Sequence, residues 1–395
     1  MLNTTISLLR CPRRKKRELR CAGELQLPPN PNARAGSSPS AKPYEIISGH
    51  LTCRECRATF PILAGVAIVV EDVAAYLIGH VKGLSRLVPT SEIPAQYRSE
   101  FIEAKEAIEI EHIEEDLEAQ RVISLYLMNH YLHAESSLPS SEQWWKPVGG
   151  SPSPLIDSLV REYWDHGPIA QIGKWIQEIP AQENLQTVVE LGCGVGGLYP
   201  VLKNQKNKNS NLTYLGVDSS FASIVLARHV ALGMPYPAKI GIPEDLLKGP
   251  TPRSIKLPPV KASALDGRGD FVVGDLDAPP LKLGHWDLAL VLNAIDMLDD
   301  PSSLPRLQYA LLKKGGIAIQ SGPYIWHEFV AKRLRQALPA DLRGDSARAV
   351  EWLYQQAGFT LEKHIDHLPW LFFKHVRQLE IYSVHLLLGR KPKAK

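Results

Sequence analysis

Four groups of residues carry chemistry by type and spacing. The first is the stretch Val188-Val189-Glu190-Leu191-Gly192-Cys193-Gly194-Val195-Gly196-Gly197, an apolar strand that ends in a carboxylate and turns on closely spaced glycines. Such glycines let a backbone approach a ligand more closely than any Cβ permits, and a helix starting near Leu198 presents free N–H groups to it. The second is a series of strand-end carboxylates, in which Glu190 is followed by Asp218 and then Asp275. A carboxylate accepts two hydroxyl bonds at once, and negative charge near the glycine turn favours a cationic ligand. The third is the tight pair Cys53-Arg54-Glu55-Cys56, spaced like a zinc knuckle, with Cys11 and Cys21 as the other cysteines of the same segment. A tetrahedral thiolate site there needs all four. The fourth is Asn293, Asp296, Tyr324 and Trp326, beyond the fourth and fifth strands of the pattern, where open α/β sheets place ligands.

Positioning these groups requires three segments. Residues 181–395 alternate strand and helix, the signature of a parallel α/β sheet. Strands are expected near 187–191, 212–218, 271–275, 286–292 and 315–321, and helices near 197–204, 219–232, 303–313 and 344–357. Two late strands, 359–365 and 379–389, read as an antiparallel hairpin at the sheet edge, and the Pro-rich stretch 234–264 as an insertion over the ligand side. Residues 72–180 read as a helical connector, with helical periodicity over 100–117, 121–132 and 155–176 around Trp144-Trp145 and a Pro/Gly/Ser loop. Its His130, Tyr131, Tyr163, Trp164 and His166 are candidates for a lid, weighed against ordinary core packing. Residues 1–71 hold four of the five cysteines, a polar Pro/Ser/Asn-rich interruption over 28–43 and a strand-like run over 66–70.

At 395 residues and 44% hydrophobic content the chain builds a sizeable core in two or three units. A net charge of +3 argues neither for nor against a polyanionic partner. The basic run Arg13 to Arg17 is a solvated turn before it is a nucleic-acid site. The longest apolar run, 62–70, is half the length that spans a bilayer, so no membrane association is expected. The first nine residues lack the basic start of a secretory leader, and the cysteines do not form a secreted disulfide framework. A cytoplasmic protein is expected.

The glycine loop, together with Glu190, Asp218 and Asp275, resembles the class I methyltransferases that use S-adenosylmethionine. The resemblance covers 181–395 and implies a seven-stranded Rossmann-like sheet. It also implies roles: Gly192, Gly194 and Gly196 cradle the amino-acid part of the cofactor, Asp218 binds the ribose hydroxyls and Asp275 contacts the adenine. Glu190 supplies negative charge near the sulfonium. The stretches Asn293-Ala294-Ile295-Asp296, Asp300-Pro301 and Ser321-Gly322-Pro323-Tyr324-Ile325-Trp326 are similar to the imidazole N-methyltransferases of the ovothiol pathway, with Gly322 inserted between Ser and Pro. The fourth strand lacks the Asn-Pro-Pro-Tyr of adenine-N6 and glutamine methyltransferases. Leu8-Leu9-Arg10-Cys11-Pro12, Leu51-Thr52-Cys53-Arg54-Glu55-Cys56, Phe60-Pro61-Ile62 and Gly65-Val66 resemble the small zinc-ribbon proteins that activate methyltransferases of RNA and release factors. Arg14 stands where that family has its second cysteine, and Cys21 is the candidate replacement.

These likenesses imply a methyltransferase with an activator-like module in the same chain and, through the imidazole motifs, a small-molecule or protein substrate. The activator likeness also admits RNA or a translation protein. Two other classes are open to the residues. Gly192, Gly194 and Gly197 fit the dinucleotide pattern of an NAD(P)-dependent oxidoreductase, and a degenerate sheet with a recruiting ribbon would be a scaffold.

Overall fold

The computed structural model describes residues 1–13, 21–28, 44–111, 125–126, 129–130, 154–180, 183, 185–203, 212–231, 240–245, 249–253, 268–375 and 378–393. The first segment folds as a small antiparallel sheet of β1 (Leu25–Gln26), β2 (Gly49–Cys53), β3 (Thr59–Leu63) and β4 (Val66–Ala67), in that order. Ala64 and Gly65 turn β3 into β4 with φ of 46° and 77°. Two left-handed residues give the hairpin the twist its strands need. Three helices follow: α1 (Val73–Gly79), α2 (Val81–Leu87) and α3 (Ala95–Glu111). Asp72 caps α1 by accepting the Ala75 N–H at 3.0 Å.

The connector continues with α4 (Pro154–His166) and α5 (Pro168–Glu178). They are separate helices because the backbone at Gly167 is extended, with ψ of 178°, and Pro168 then starts the next helix. Tyr163 packs with Leu125, Trp370, Leu371 and Val384 into a small second core. Trp144, Trp145 and most of 112–132 lie outside the described residues.

The remaining elements are β5 (Thr187–Leu191), α6 (Leu198–Lys203), β6 (Thr213–Asp218), α7 (Phe221–Ala231), β7 (Ile240–Asp245), β8 (Gly249–Arg253), β9 (Gly269–Val273) and β10 (Trp286–Leu292). After them come α8 (Ser303–Leu311), β11 (Leu312–Gly322), α9 (Glu328–Ala337), α10 (Ser346–Gln356), β12 (Thr360–His375) and β13 (Gln378–Arg390). Among the described residues one seven-stranded sheet forms, ordered β12-β13-β11-β10-β5-β6-β9. The five strands from β11 to β9 are parallel, and β13 inserts antiparallel between β11 and β12. Buried on both faces, the central strands read as nearly unbroken apolar runs. The strand order reverses at β5, which neighbours both β6 and β10, and this opens a crevice at the strands' carboxyl ends.

The expected late hairpin is present, but its second strand is interior and its first forms the edge. β9 stops at Val273, so Asp275 stands two residues past the strand. Of the 234–264 insertion, β7 and β8 pair as a hairpin with β7 against β12, and the rest lies outside the described residues. No described helix is long and apolar enough to cross a membrane.

At the other edge the ribbon completes the sheet. Ile68 bridges Val273 in parallel, and the Val69 N–H donates to the Val273 carbonyl at 3.0 Å. Arg10 N–H donates to the Pro280 carbonyl at 2.9 Å, and Lys282 N–H donates to that of Leu8 at 3.0 Å. Beneath these bonds Arg228 of α7 and Asp270 of β9 form a buried ion pair, 3.2 Å apart and 3% and 2% exposed. Hydrogen bonds from the ribbon side reach both ions: Leu2 N–H and the Thr5 hydroxyl each donate to Asp270 Oδ2 at 2.7 Å, and Glu45 accepts from Arg228 at 2.9 Å. Asp270→Ala leaves the buried Arg228 with Glu45 alone and takes the acceptor from Leu2 and Thr5, and is expected to destabilise the protein by about 3–5 kcal/mol. Chemical denaturation measures the loss, and Asp270→Asn, which keeps acceptors for Leu2 and Thr5, loses less.

Candidate active site

The glycine loop follows β5 because three of its residues take conformations closed to most side chains: Gly192, Gly194 and Gly196 have φ of 71°, 51° and 74°. They differ in what surrounds them. A Cβ on Gly196 would meet the Phe271 ring at 2.6 Å, so this glycine serves packing. A Cβ on Gly194 would meet nothing within 4 Å, so its backbone faces open space. Gly197 is covered by His130, whose imidazole would lie 2.7 Å from a Cβ there.

Asp218 closes β6 beside that loop. Its Oδ2 accepts the Gly194 N–H at 2.9 Å and its Oδ1 accepts the Ser220 N–H at 2.8 Å. Capping of α7 falls instead to Ser220, whose hydroxyl accepts the Ser223 N–H at 3.3 Å. Burial raises the Asp218 pKa, and backbone N–H groups oppose the rise. Glu190 lies deeper. It accepts a hydrogen bond from the Tyr214 hydroxyl and is buried so completely that its pKa is pushed up to about 8. Burial thus works against the negative charge expected of Glu190.

Asp275 lines a cleft of about 470 Å³ together with Arg13, Val70, Glu71, Asp72, Ala75 and Tyr76. Burial first, then the nearby Asp277, raise the Asp275 pKa. Tyr76 stacks on His80 with ring centroids 4.0 Å apart, and its hydroxyl donates to the Ser219 carbonyl at 2.6 Å. Residues 70–76 form this wall, and only a tertiary contact reveals it. Their one sequence signal is the helical i, i+4 spacing of Tyr76 and His80. Arg13, read as part of a solvated run, faces the cleft, and Arg14 to Arg17 lie outside the described residues.

Beyond β10 and β11 the two remaining stretches join. The Asn293 N–H donates to the Ser321 carbonyl at 2.8 Å, and the Ser321 hydroxyl donates to Asn293 Oδ1 at 3.1 Å. Asp296 Oδ2 accepts the Ile325 N–H at 2.7 Å. Asn293 and Tyr324 hold φ of 53° and 60°, a strained geometry that these cross-bonds enforce. Tyr324 and Trp326 stack at 5.5 Å with planes 4° apart, and their polar atoms are engaged within the protein. The Tyr324 hydroxyl meets His385 Nδ1 at 2.8 Å and Gln320 Oε1 at 3.3 Å, and Trp326 Nε1 donates to the Ser346 hydroxyl at 3.0 Å. Burial raises the Tyr324 pKa well above its usual value. Met297 and Ile325, next to Asp296 and Tyr324 in the chain, are exposed.

Of the candidate lid residues, His130 reaches the glycine loop. Tyr163 belongs to the second core, and His166 is exposed. Tyr131 and the Trp164 side chain lie outside the described set.

The four ribbon cysteines converge. Cys11 and Cys56 Sγ are 3.6 Å apart, Cys21 and Cys53 Sγ are 3.7 Å apart, and all four lie within 4.8 Å of one another. A zinc ion with thiolates at about 2.3 Å has tetrahedral edges close to these separations. The Cys56 N–H donates to Cys53 Sγ at 3.5 Å. Desolvation, the largest influence on Cys11, raises its pKa in the absence of a cation.

Residues 163–364, just over half of the chain, match the family model described as a methyltransferase domain, and residues 3–65 match that of Trm112p-like protein. No curated protein matches this chain in sequence. Among solved structures the chain is similar to a complex between the Haloferax volcanii Trm112 methyltransferase activator and a methyltransferase, at 18% identity over 60% of this chain and 95% of that one, with a TM-score of 0.35. It is similar to a Thermotoga maritima protein described as a possible histamine N-methyltransferase, at 17% identity over 60% and 96%, with a TM-score of 0.31. A third is magnesium protoporphyrin IX methyltransferase from Synechocystis, at 15% identity over 63% and 93%, with a TM-score of 0.34. The family-model match does not favour the oxidoreductase and scaffold readings of the glycine loop. The matched span takes in the glycine loop, Asp218, Asp275 and both loops beyond β10 and β11, and the chain belongs to the methyltransferase domain family, with a Trm112p-like domain ahead of its catalytic sheet.

Proposed function

We propose that this enzyme transfers the methyl group of S-adenosylmethionine to a nitrogen of a flat imidazole, in a small molecule or a protein side chain. The observation that carries the reading is the joining of its two imidazole-type stretches, Asn293–Ser321 and Asp296–Ile325, at the sheet end that bears the glycine loop. S-adenosylmethionine supplies a methyl group already activated on sulfonium. The protein's share is to bind it, hold the acceptor in line and exclude water. Open backbone at Gly194 receives the amino-acid end, Asp218 receives the ribose diol on its remaining lone pairs, and Asp275 with the 70–76 wall receives the adenine. Gly192 and Gly196 shape the turn. Asn293, Asp296 and the Tyr324–Trp326 stack form the acceptor side, where Asp296 is placed to orient the far nitrogen of a ring. With its hydroxyl already engaged, Tyr324 offers ring surface rather than a proton. The four cysteines hold a structural zinc, and thiols kept free for a metal suit a reducing, cytoplasmic compartment.

The ribbon favours a second reading, a macromolecular substrate of the translation apparatus. Incubation with methyl-labelled cofactor separates the two. Label in histidine, its peptides or thiol derivatives supports the first, and label confined to RNA or ribosomal protein overturns it. Asp218→Ala is expected to weaken S-adenosylhomocysteine binding by about 1–3 kcal/mol in calorimetry. Unchanged affinity would remove Asp218 from the ribose site.

Glu190 gives a pH signature. Its carboxyl is neutral below about pH 8 and charged above, and the charged form favours a bound sulfonium over a neutral thioether. Affinity for S-adenosylmethionine relative to S-adenosylhomocysteine should therefore rise with pH through that value, by about tenfold for one charge at short range. Calorimetry at several pH values reads the ratio, and Glu190→Gln should make it flat.

A further inference from the structure

A second set of ligating side chains meets on the sheet face that α10 covers. His364 of β12 lies opposite Leu387, two residues from His385 on β13, so both imidazoles stand diagonally on one face. Glu351 of α10 reaches between them: one carboxylate oxygen, Oε1, lies 2.7 Å from His364 Nδ1 and 3.2 Å from His385 Nε2. The three ligating atoms fall within 4.8 Å of one another.

His385 is the telling member. It is 1% exposed, and among the described residues its Nε2 has no hydrogen-bond partner, the neighbouring carboxylate being close but without hydrogen-bond geometry. Its other nitrogen is engaged. The Tyr324 hydroxyl lies 2.8 Å from His385 Nδ1 and 3.3 Å from Gln320 Oε1, so with its proton on Gln320 the Tyr324 oxygen can accept from the Nδ1–H tautomer of His385. In that tautomer Nε2 carries a lone pair that faces the Glu351 carboxylate 3.2 Å away. Two electron pairs at contact distance, one of them fully buried, repel unless a cation lies between them. Metal-bound histidines are commonly held in this way, by a hydrogen bond from the nitrogen that does not ligate.

We propose that Glu351, His364 and His385 form a divalent transition-metal site. Two imidazoles and one carboxylate suit zinc, with a fourth position left for water. The half-exposed side chain of His364, at 63%, provides the way in. Such an ion would tie α10 to the β12–β13 hairpin and fix Tyr324 from behind, whichever acceptor the enzyme uses.

The test uses the full-length protein, freed of metal and reloaded with cobalt or zinc. Cobalt at the ribbon cysteines gives intense near-ultraviolet thiolate bands. Cobalt at the proposed site adds weak visible bands without thiolate character. His364→Ala, a change at the surface, is expected to lower bound zinc by about one ion per chain, to abolish the non-thiolate bands and to leave the thiolate bands intact. It should also remove the rise in Tm that micromolar zinc produces in the parent protein beyond that due to the ribbon. Tyr324→Phe should weaken the site by about 10–100-fold without removing it. Equal zinc content and equal Tm response in the parent and His364→Ala would overturn the proposal and leave the three residues as a buried ion pair with a neighbouring imidazole. Because thiolate and non-thiolate bands are read separately, failure here is distinguishable from failure of the cysteine site.

Discussion

An arginine and an aspartate withdrawn together from water decide how this molecule is assembled. Arg228 and Asp270 each lose hydration worth several kcal/mol, and their mutual attraction offsets that only where further hydrogen bonds satisfy the remaining atoms. Those bonds come from Leu2, Thr5 and Glu45 of the ribbon. Without the ribbon the sheet would carry an exposed edge beside an unsatisfied ion pair. Without the sheet the ribbon would expose its apolar side. The same contact also bears on the cleft. β9 runs directly into Asp275, and the chain leaving β4 pairs with Val273 before forming the opposite wall at Val70 to Tyr76.

Much of this was legible in the amino-acid order. The parallel strands announced themselves because burial on both faces demands unbroken apolar runs, and positions such as 187–191 and 286–292 match the observed elements to the residue. The glycine loop was legible because positive φ at Gly192, Gly194 and Gly196 leaves glycine as the natural choice. The ribbon cysteines were legible as a set, and the structure brings Cys21 to the place that Arg14 leaves open. What could not be read was chemistry made by tertiary contact. Asp270 and Arg228 look like ordinary surface charges in sequence, and Glu351, His364 and His385 come from three elements with no motif between them. Glu190 was legible as a carboxylate but not as a deeply buried one, because depth of burial is invisible to spacing.

Asn293 and Tyr324 illustrate a related limit. Neither is glycine, yet both take left-handed backbone, at a cost of about 1–3 kcal/mol each. Nothing in their neighbours predicts it. The cross-bonds to Ser321 and from Ile325 to Asp296 hold the two loops as one unit, so the shape of the acceptor side is stored in backbone geometry as much as in side-chain identity.

Covalent linkage of ribbon and sheet changes how the interface behaves on dilution. A separate activator would leave its enzyme as concentration fell, and its protection would depend on the ratio in which the two were made. Here the ribbon is tethered to its sheet, and its effective concentration is set by the connecting chain rather than by dilution. Assembly of the cleft is therefore a unimolecular event. The stoichiometry is fixed at synthesis, and no other methyltransferase can compete this ribbon away without first displacing a segment bound in cis.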